Sequence, residues 1–385
     1  MADPMEAVRR LLDLRQHHRT EDLPPALSGV APLLDAVRVT ALMVDYEQIS
    51  LWPLHGTPGD ETPRKVDDTL AGESFRTARV LQGDGCLWLP LLHGAERLGV
   101  LEVRHRDEPD PRLRRDLEVI AALVAELIAS RQKYGDAVER TRRRLPMQLA
   151  AEIIWNQLPP LSFAAREALV TAVLEPCYDV GGDAFDYAAN GDVVHVALFD
   201  TVGHGISASA LTTLTLNTYR NARRSGLDLV DTYRSIDKWV RAQYPGAFVT
   251  ALLAELDVVT GAWRRIAAGH PAELHLRGDR SLVSPPTPTA LPLGLGHMVR
   301  RPPRVTEVML EPGDTLVLYT DGITEARSGD GELFGVEQLE AFIRGQMRLR
   351  TPAAETMRRL IHTIVSYENG ELRDDATAAL VQWRP

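Results

Sequence analysis

The sequence predicts an α+β protein with more than one domain. Its 385 residues, 44% of them hydrophobic, can form several cores, since one domain usually takes about 100–200 residues. Short apolar runs joined by tight turns occupy the first part of the chain. Beyond Pro160, strands alternate with long helices, and some strands are close enough to pair as antiparallel hairpins. We therefore expect the second part to be a layered sandwich, although spacing alone leaves the number of sheets open.

Composition excludes some classes of function. The formal net charge is -10 and the isoelectric point is about 5.6, which argues against nucleic-acid binding, because such surfaces need clustered Lys and Arg. No window approaches the roughly 20 apolar residues of a membrane span, and the start, MADPMEAVRR, lacks the apolar stretch of a signal peptide. We expect no membrane association and a cytoplasmic location. Cys86 and Cys177 are too few for a thiolate metal site and are expected to be buried thiols.

The first part of the chain contains two predicted strand pairs. Residues 37–46 and 49–54 flank a short turn, and residues 86–92 and 97–105 flank a hairpin with Gly94 at its tip. Together with the phrases VDYEQ, LAGESFRTARV and LPLLHGAERLGVLEV, this arrangement resembles a GAF domain. The resemblance covers about residues 30–130 and implies an α/β sensor that takes an unknown small ligand or protein. We place this sensor domain at residues 1–112. A domain that only dimerises and binds no ligand is the open alternative.

A helix with a seven-residue repeat is predicted next. Its apolar positions alternate at spacings of four and three, and they are Leu113, Leu117, Ile120, Val124, Leu127, Tyr134, Val138 and Leu145. This pattern favours a coiled coil and hence a homodimer. The alternative is a single amphipathic helix packed on its own domain. Pro146 should end or kink the helix before AAEIIWNQL resumes it, so residues 113–160 are expected to be a helical linker that couples two domains.

The remaining residues, 161–385, are predicted to alternate between strands and helices. The predicted strands are 192–200, 248–257, 262–269, 272–278, 315–321 and 376–383, and the predicted helices are 207–224, 229–243, 336–345 and 352–367.

Acidic residues stand where several of these strands end. Asp200 and Asp321 each close an apolar strand, Asp183 follows two glycines, and the pair Asp374 and Asp375 precedes the last strand. Clustered carboxylates repel one another, so a site that collects them needs cations, and an all-oxygen ligand set selects hard ions such as Mg(II) or Mn(II). Two such ions could activate water for phosphate-ester hydrolysis. Each motif alone also fits ordinary turn chemistry, which is our interpretation of Asp314.

The second part of the chain contains a series of short sequence phrases whose order is specific for one protein family. AAEIIWNQLPP, VGGDAFDY, LFDTVGHGISASA, FVTALLAELD, AAGHPAELHLR, GDTLVLYTDGITEARSGDGELFG and DDATAAL follow one another over residues 147–385. The segment resembles the SpoIIE/RsbU branch of the bacterial metal-dependent (PPM, type 2C superfamily) protein-serine/threonine phosphatases. The resemblance implies an αββα sandwich and two Mn(II) or Mg(II) ions. It also implies a phosphorylated anti-anti-sigma-factor-like protein as the substrate.

The resemblance also implies roles for individual residues. The implied metal ligands are Asp183, Asp200, Asp321, Asp374 and the carbonyl of Thr201, with Asp200 bridging the two ions. Asp375 is implied either as a ligand or as a hydrogen-bonding support. His204 is a candidate general acid or a brace of its loop, and His270 is expected to be structural.

Some features depart from the family pattern or leave a choice open. Ala184 and Phe185 precede Asp186 where relatives often have two aromatic residues, which should alter packing but remove no ligand. No arginine for the substrate phosphate can be located, and the proline-rich loop 284–294 is either a semi-rigid flap or a surface connection. A catalytically inactive phosphatase fold that only binds partners is the alternative function. A nucleotide-binding kinase is disfavoured, because no P-loop pattern is present.

Overall fold

The computed structural model describes residues 2–14, 19–56, 62–179, 181–278, 280–282, 290–299 and 302–384. The chain divides into two compact units, Met1–Pro146 and Met147–Pro385. The segment 113–160, expected to be a separate linker, is therefore shared: its first helices belong to the first unit and its last helix to the second. In the described ranges no helix combines the length and the apolar character that a membrane span requires.

The first unit contains an antiparallel six-stranded sheet between helices. Its strands are β1 (Ala36–Val44), β2 (Ser50–Pro53), β3 (Arg64–Lys65), β4 (Leu81–Gly83), β5 (Cys86–His93) and β6 (Glu96–His105). Its helices are α1 (Pro4–Asp13), α2 (Leu23–Val30), α3 (Leu70–Thr77), α4 (Pro111–Arg131) and α5 (Ala137–Arg142). The strand order is β3-β2-β1-β6-β5-β4. Side chains of α1, α2 and α4 pack on one face, and those of α3 pack on the other.

Both predicted strand pairs of this unit are confirmed. β1 pairs with β2, and β5 pairs with β6 up to His93 and Glu96. Gly94, in the turn between them, has a φ of 60°, a conformation that glycine adopts without a steric cost.

The apolar stripe from Leu117 to Leu127 packs inside its own unit, so the predicted coiled coil is wrong. Ile120 and Val124 are 0% exposed and lie in one cluster with residues of β1, β5 and β6. The helix also stops early: α4 ends at Arg131, and the backbone of Gly135 is extended. A seven-residue repeat indicates only that one side of a helix is apolar, and here the sheet covers that side. The amphipathic-helix alternative is confirmed, and the homodimer prediction loses this support.

Ile120→Lys is expected to unfold the first unit rather than separate two chains. A lysine there would carry an unpaired charge into the core, which costs about 3 kcal/mol or more. Val119→Lys is the matched control, because Val119 lies on the same helix and is 60% exposed. Urea unfolding and solution mass, measured together, check this. A variant that only dissociates, with the first unit as stable as before, would restore the coiled coil.

The second unit contains two sheets. Its strands are β7 (Ser162–Ala164), β8 (Ala168–Glu175), β9 (Ala184–Asn190), β10 (Val193–Thr201), β11 (Val249–Asp257), β12 (Ala262–Ala268), β13 (Leu274–Arg277), β14 (Arg280–Leu282), β15 (Thr306–Met309), β16 (Thr315–Tyr319) and β17 (Ala376–Trp383). Its helices are α6 (Leu149–Trp155), α7 (Gly205–Arg224), α8 (Leu229–Gln243), α9 (Asp321–Thr324), α10 (Gly335–Arg348) and α11 (Ala353–Tyr367).

These elements form the expected αββα sandwich. One sheet has the order β15-β12-β11-β10-β9, and the other has the order β14-β13-β16-β17-β8-β7. Leu198 and Leu252 from the first sheet meet Leu316 and Val381 from the second in the core between them. α7 and α8 cover the outer face of the first sheet, and α10 and α11 cover that of the second.

The strands predicted beyond Pro160 are all present, but β7, β8, β9, β14 and β15 were not predicted. The run ALVTAVLE of β8 is buried at nearly every position, so it lacks the alternation that marks a strand with one wet face. β9 is buried over Ala184–Asp186 and exposed at its end, at Ala189 and Asn190. Pairing with β17 and β10 makes these segments strands.

Both cysteines are buried free thiols, as predicted. Cys86 donates a weak hydrogen bond to Glu102 at 3.6 Å, and burial raises the pKa of its thiol to about 11. Cys177 donates to Glu175 at 3.0 Å. Neither thiol is therefore a candidate metal ligand.

Candidate metal centre

Four chain segments bring acidic residues to one edge of the sandwich. Asp200 lies near the end of β10, and Asp183 directly precedes β9, both in the first sheet. Asp321 follows β16 and begins α9, and Asp374 precedes β17, both in the second sheet. A hydrogen bond joins the two sheets here, because the Thr320 hydroxyl donates to Asp183 Oδ2 at 2.8 Å.

Asp375 holds the two glycines before Asp183. Its Oδ2 accepts hydrogen bonds from the backbone N–H groups of Gly181 at 2.9 Å, Gly182 at 2.7 Å and Asp183 at 3.1 Å. Asp374 is exposed, and its Oδ1 accepts the backbone N–H of Asp375. Asp375 is thus engaged with the backbone, which leaves Asp374 as the member of the pair available to a cation.

Two glycines allow backbones to approach closely around the carboxylates. A Cβ on Gly182 would lie 2.5 Å from the carbonyl oxygen of Thr201, and a Cβ on Gly322 would lie 2.0 Å from that of Asp375. Real Cβ atoms do not come this close to backbone atoms. The glycines in the phrases GGD and TDG are therefore needed for space at the site.

Burial and mutual repulsion raise the pKa of the clustered carboxyl groups. For Asp200, burial is the larger cause and the charge of Asp321 adds to it, which together raise the pKa to about 6. Burial, followed by the charges of Asp375 and Asp200, raises the pKa of Asp183 well above its ordinary value. Burial and then the charge of Asp374 raise the pKa of Asp321. Added positive charge would relieve this repulsion.

The chemistry of this donor set fits a hard, hydrated divalent cation. All candidate donors are oxygen atoms, the type that Mg(II) and Mn(II) prefer. Across the described ranges no three His, Cys, Asp or Glu side chains are grouped so as to hold one metal ion. Mg(II) commonly keeps several waters and binds through one or two carboxylates. The groups available to hold ions are Asp183, Asp200, Asp321, Asp374 and the carbonyl of Thr201.

The metal-free protein is expected to lose stability as the pH rises. The Asp200 pKa moves from 3.8 to about 6 on folding, so the folded protein binds this proton more tightly than the unfolded chain does. The free energy of unfolding therefore falls as the pH rises through that window. In EDTA, Asn at position 200 should weaken this dependence and stabilise the protein at pH 7 by about 2 kcal/mol. Urea unfolding at several pH values checks this, and an unchanged slope would contradict it.

The two histidines predicted near the site have different surroundings. His204 is exposed directly before α7, and its side chain does not cap that helix. His270 is 6% exposed, and its Nδ1 lies 3.0 Å from the Thr250 hydroxyl, which lies 3.2 Å from Asp200 Oδ2. Burial lowers the pKa of His270 to about 4, so its imidazole is neutral at pH 7. The residue expected to be structural is therefore linked to a candidate ligand.

Sequence reasoning missed the threonines that support the carboxylates. Thr250 stands opposite Asp200 in the register of β10 and β11. Thr320 bonds Asp183, and the Thr212 hydroxyl contacts the carbonyl of Gly182 at 2.7 Å. The position of Thr320 directly before Asp321 was the one available signal. The other two become recognisable only once strand register and helix packing are known.

Other predictions for this unit have separate outcomes. Asp314 is a turn residue, as predicted: the backbone N–H of Glu311 donates to it at 2.9 Å, and Arg277 donates to both of its oxygens. Asp186, which follows the unusual Ala184 and Phe185, is 2% exposed and forms ion pairs with two arginines of α7. The loop 284–294 falls mostly outside the described residues.

Comparison with known proteins identifies related sequences. The family profile of stage II sporulation protein E (SpoIIE) matches residues 190–384. Phosphoserine phosphatase RsbU of Bacillus subtilis is 22% identical over 259 residues, which are 65% of this chain and 76% of RsbU. Protein IcfG of Synechocystis is 20% identical over 284 residues, which are 66% of this chain and only 43% of IcfG.

A solved structure supports the fold of the second unit. The SiaA-PP2C domain of Pseudomonas aeruginosa aligns with a TM-score of 0.50 and 22% identity, covering 66% of this chain and 99% of that domain. At this identity the likeness concerns the fold, and it agrees with the αββα layers described above.

Proposed function

This chain belongs to the SpoIIE family of protein-serine/threonine phosphatases, and we propose that its second unit hydrolyses phosphoserine or phosphothreonine on a regulatory protein with bound Mn(II) or Mg(II). The observation that carries the proposal is the gathering of four acidic segments from two sheets at one edge. Their mutual repulsion raises the pKa of Asp183, Asp200 and Asp321. Such an arrangement is unfavourable without cations, and bound cations would offset the repulsion between the carboxylates.

The proposed site holds two ions through Asp183, Asp200, Asp321, Asp374 and the Thr201 carbonyl. When bound, such ions lower the pKa of water and neutralise phosphoryl oxygens as charge develops. The chain's part is to orient the carboxylates. Asp375 does this indirectly by fixing the Gly181–Asp183 backbone, and Thr250 and Thr320 do it by donating hydrogen bonds to Asp200 and Asp183.

The start of α7 is proposed to help hold the substrate phosphate. α7 is 20 residues long and begins at Gly205, directly after the loop that carries Asp200 and Thr201. The first N–H groups of a helix have no partner within the helix and favour an anion. These N–H groups offer an alternative to an arginine for the substrate phosphate, which could not be located in the sequence. His204, exposed at the same point, is proposed to protonate the leaving seryl or threonyl oxygen.

A protein is favoured as the substrate by the surroundings of the site. Val202 and Ile206 flank the glycine loop and are 45% and 58% exposed. Exposed apolar side chains beside a polar centre suit a protein surface better than a small metabolite. Following RsbU, a phosphoserine phosphatase, we propose a phosphorylated anti-anti-sigma-factor-like protein of a partner-switching pathway.

The first unit is proposed to regulate this activity. It is compact and has its own hydrophobic cores on both faces of its sheet, as expected of a sensor domain with GAF-like organisation. The ligand or protein that it detects, and the homodimer, stay predictions. Turnover of the full chain compared with that of residues 147–385 tests for regulation.

Phosphate release from a phosphoserine protein by the full chain is the direct test of function. We expect release with Mn(II) or Mg(II) and none in EDTA. A phosphoproteomic comparison of cells that contain the parental protein or its Asp200→Asn variant would then identify the substrate. Binding of phosphoprotein without phosphate release, at any metal concentration, would favour the alternative of an inactive phosphatase fold.

A further inference from the structure

We propose that Thr250 and His270 are positioning residues that hold Asp200 in the orientation needed to bind a divalent cation. The three side chains are connected by two consecutive hydrogen-bond contacts. His270 Nδ1 lies 3.0 Å from Thr250 Oγ1, and Thr250 Oγ1 lies 3.2 Å from Asp200 Oδ2. The inference rests on the proposed function, because Asp200 is there a metal ligand.

The fold explains why these residues meet. Thr250 is opposite Asp200 in the antiparallel pair β10 and β11. β12 runs back along β11, and His270 follows its end, beside a bridge between Gly269 and Ala251. All three positions therefore depend on the same three adjacent strands, with His270 two residues beyond the end of β12 and directly after the Gly269 bridge.

The direction of the hydrogen bonds follows from the chemistry of Asp200. An ionised carboxylate can only accept, so the Thr250 hydroxyl must donate its single proton to Asp200. The Thr250 oxygen is then free to accept, and the donor within reach is an N–H at Nδ1 of His270. His270 is buried and neutral, so it carries one ring proton, which this arrangement assigns to Nδ1.

The other ring nitrogen is consistent with that assignment. His270 Nε2 is buried and has no hydrogen-bond partner within the described part of the chain. A bare lone pair there costs less than an unsatisfied N–H, because unpaired buried acceptors are better tolerated than unpaired donors. Its contact with Thr250 is the one that meets hydrogen-bond geometry, and the Tyr319 backbone carbonyl, which raises the pKa of the imidazole, also lies near the ring.

The consequence is a preorganised ligand. Without the Thr250 hydroxyl, Asp200 loses a donor that fixes its Oδ2, and it can rotate before a cation arrives. Partners that orient a metal ligand typically contribute about 10–100-fold to metal affinity. The proposal therefore concerns the binding of metal in the absence of any substrate.

Calorimetric titration of Mn(II) into the full chain tests the proposal. We expect Thr250→Val and His270→Leu to weaken Mn(II) binding about tenfold or more. Thr250→Ser, which keeps the hydroxyl, and His270→Asn, whose amide can replace the Nδ1–H donor, should stay near the parental affinity. Thr215→Val is the matched control, because the Thr215 hydroxyl is fully buried and makes no hydrogen bond within the described residues.

Two further measurements separate the possible failures. Asp200→Asn should lose Mn(II) binding in the same titration. If it does, while Thr250→Val and His270→Leu bind Mn(II) as the parent does, the inference is wrong and the metal centre stands. If Asp200→Asn also binds normally, the metal centre itself is wrong. Nitrogen-15 NMR of the Mg(II)-loaded protein should show His270 protonated at Nδ1, and protonation at Nε2 would overturn the proposed direction.

Discussion

Asp200→Asn and Asp321→Asn are each expected to reduce metal-dependent turnover by at least about 100-fold while the fold is retained. Asn keeps the volume of Asp but removes the negative charge that balances a cation. The variants should also fold more stably in EDTA, because a charge that is unfavourable in the apo site has been removed. Loss of activity together with a gain in apo stability distinguishes a metal ligand from a residue needed for folding.

Phosphate release measured over a range of Mn(II) concentrations, with urea unfolding of the same samples, checks this prediction. Asp231→Asn is a suitable control, because Asp231 is exposed on α8 and its surface ion pair with Arg234 contributes little to stability. Parental rates in both site variants at saturating metal would mean that the carboxylates have another role.

Gly322→Ala is expected to remove most turnover and to destabilise the second unit by about 1–3 kcal/mol. Its Cβ would lie 2.0 Å from the carbonyl oxygen of Asp375 and 2.8 Å from the carbonyl carbon. Both are backbone atoms, so either the start of α9 or the segment before β17 must move. Asp321 is in the first of these and Asp374 in the second, so the distance between two candidate ligands changes.

Gly345→Ala provides the control for this substitution. Gly345 lies within α10, and nothing stands within 4 Å of a Cβ placed there. Alanine favours a helix over glycine by roughly 0.5–1 kcal/mol, so this variant should be slightly more stable and equally active. Urea unfolding and Mn(II)-dependent turnover compare the two. A Gly322→Ala protein that matches the parent in both would contradict the close approach.

Much of the candidate site could be proposed from the sequence, because its residues lie in short phrases with a local cause. Glycines beside Asp183 and Asp321 mark tight backbone approaches, and apolar runs that end at Asp200 or Asp321 mark strand ends. These features depend on a few neighbouring residues, so they remain visible in the sequence. The sequence could not show which of Asp374 and Asp375 is available to a cation. That depends on which of them accepts hydrogen bonds from the N–H groups of Gly181–Asp183.

The sequence by itself determined most strands of both units, the helices of the second unit other than α9, the αββα expectation and the family, because alternation, turn residues and motif order are local properties. Only the tertiary structure decided what covers the apolar stripe on α4. A seven-residue repeat shows that one side of a helix is apolar, but it does not show which element packs against that side. The tertiary structure also decided that β8 is a strand, through pairing with β17. Finally, it placed Thr250 and His270 beside Asp200, because contacts between residues 50 and 20 positions apart arise from strand register, which no single segment encodes.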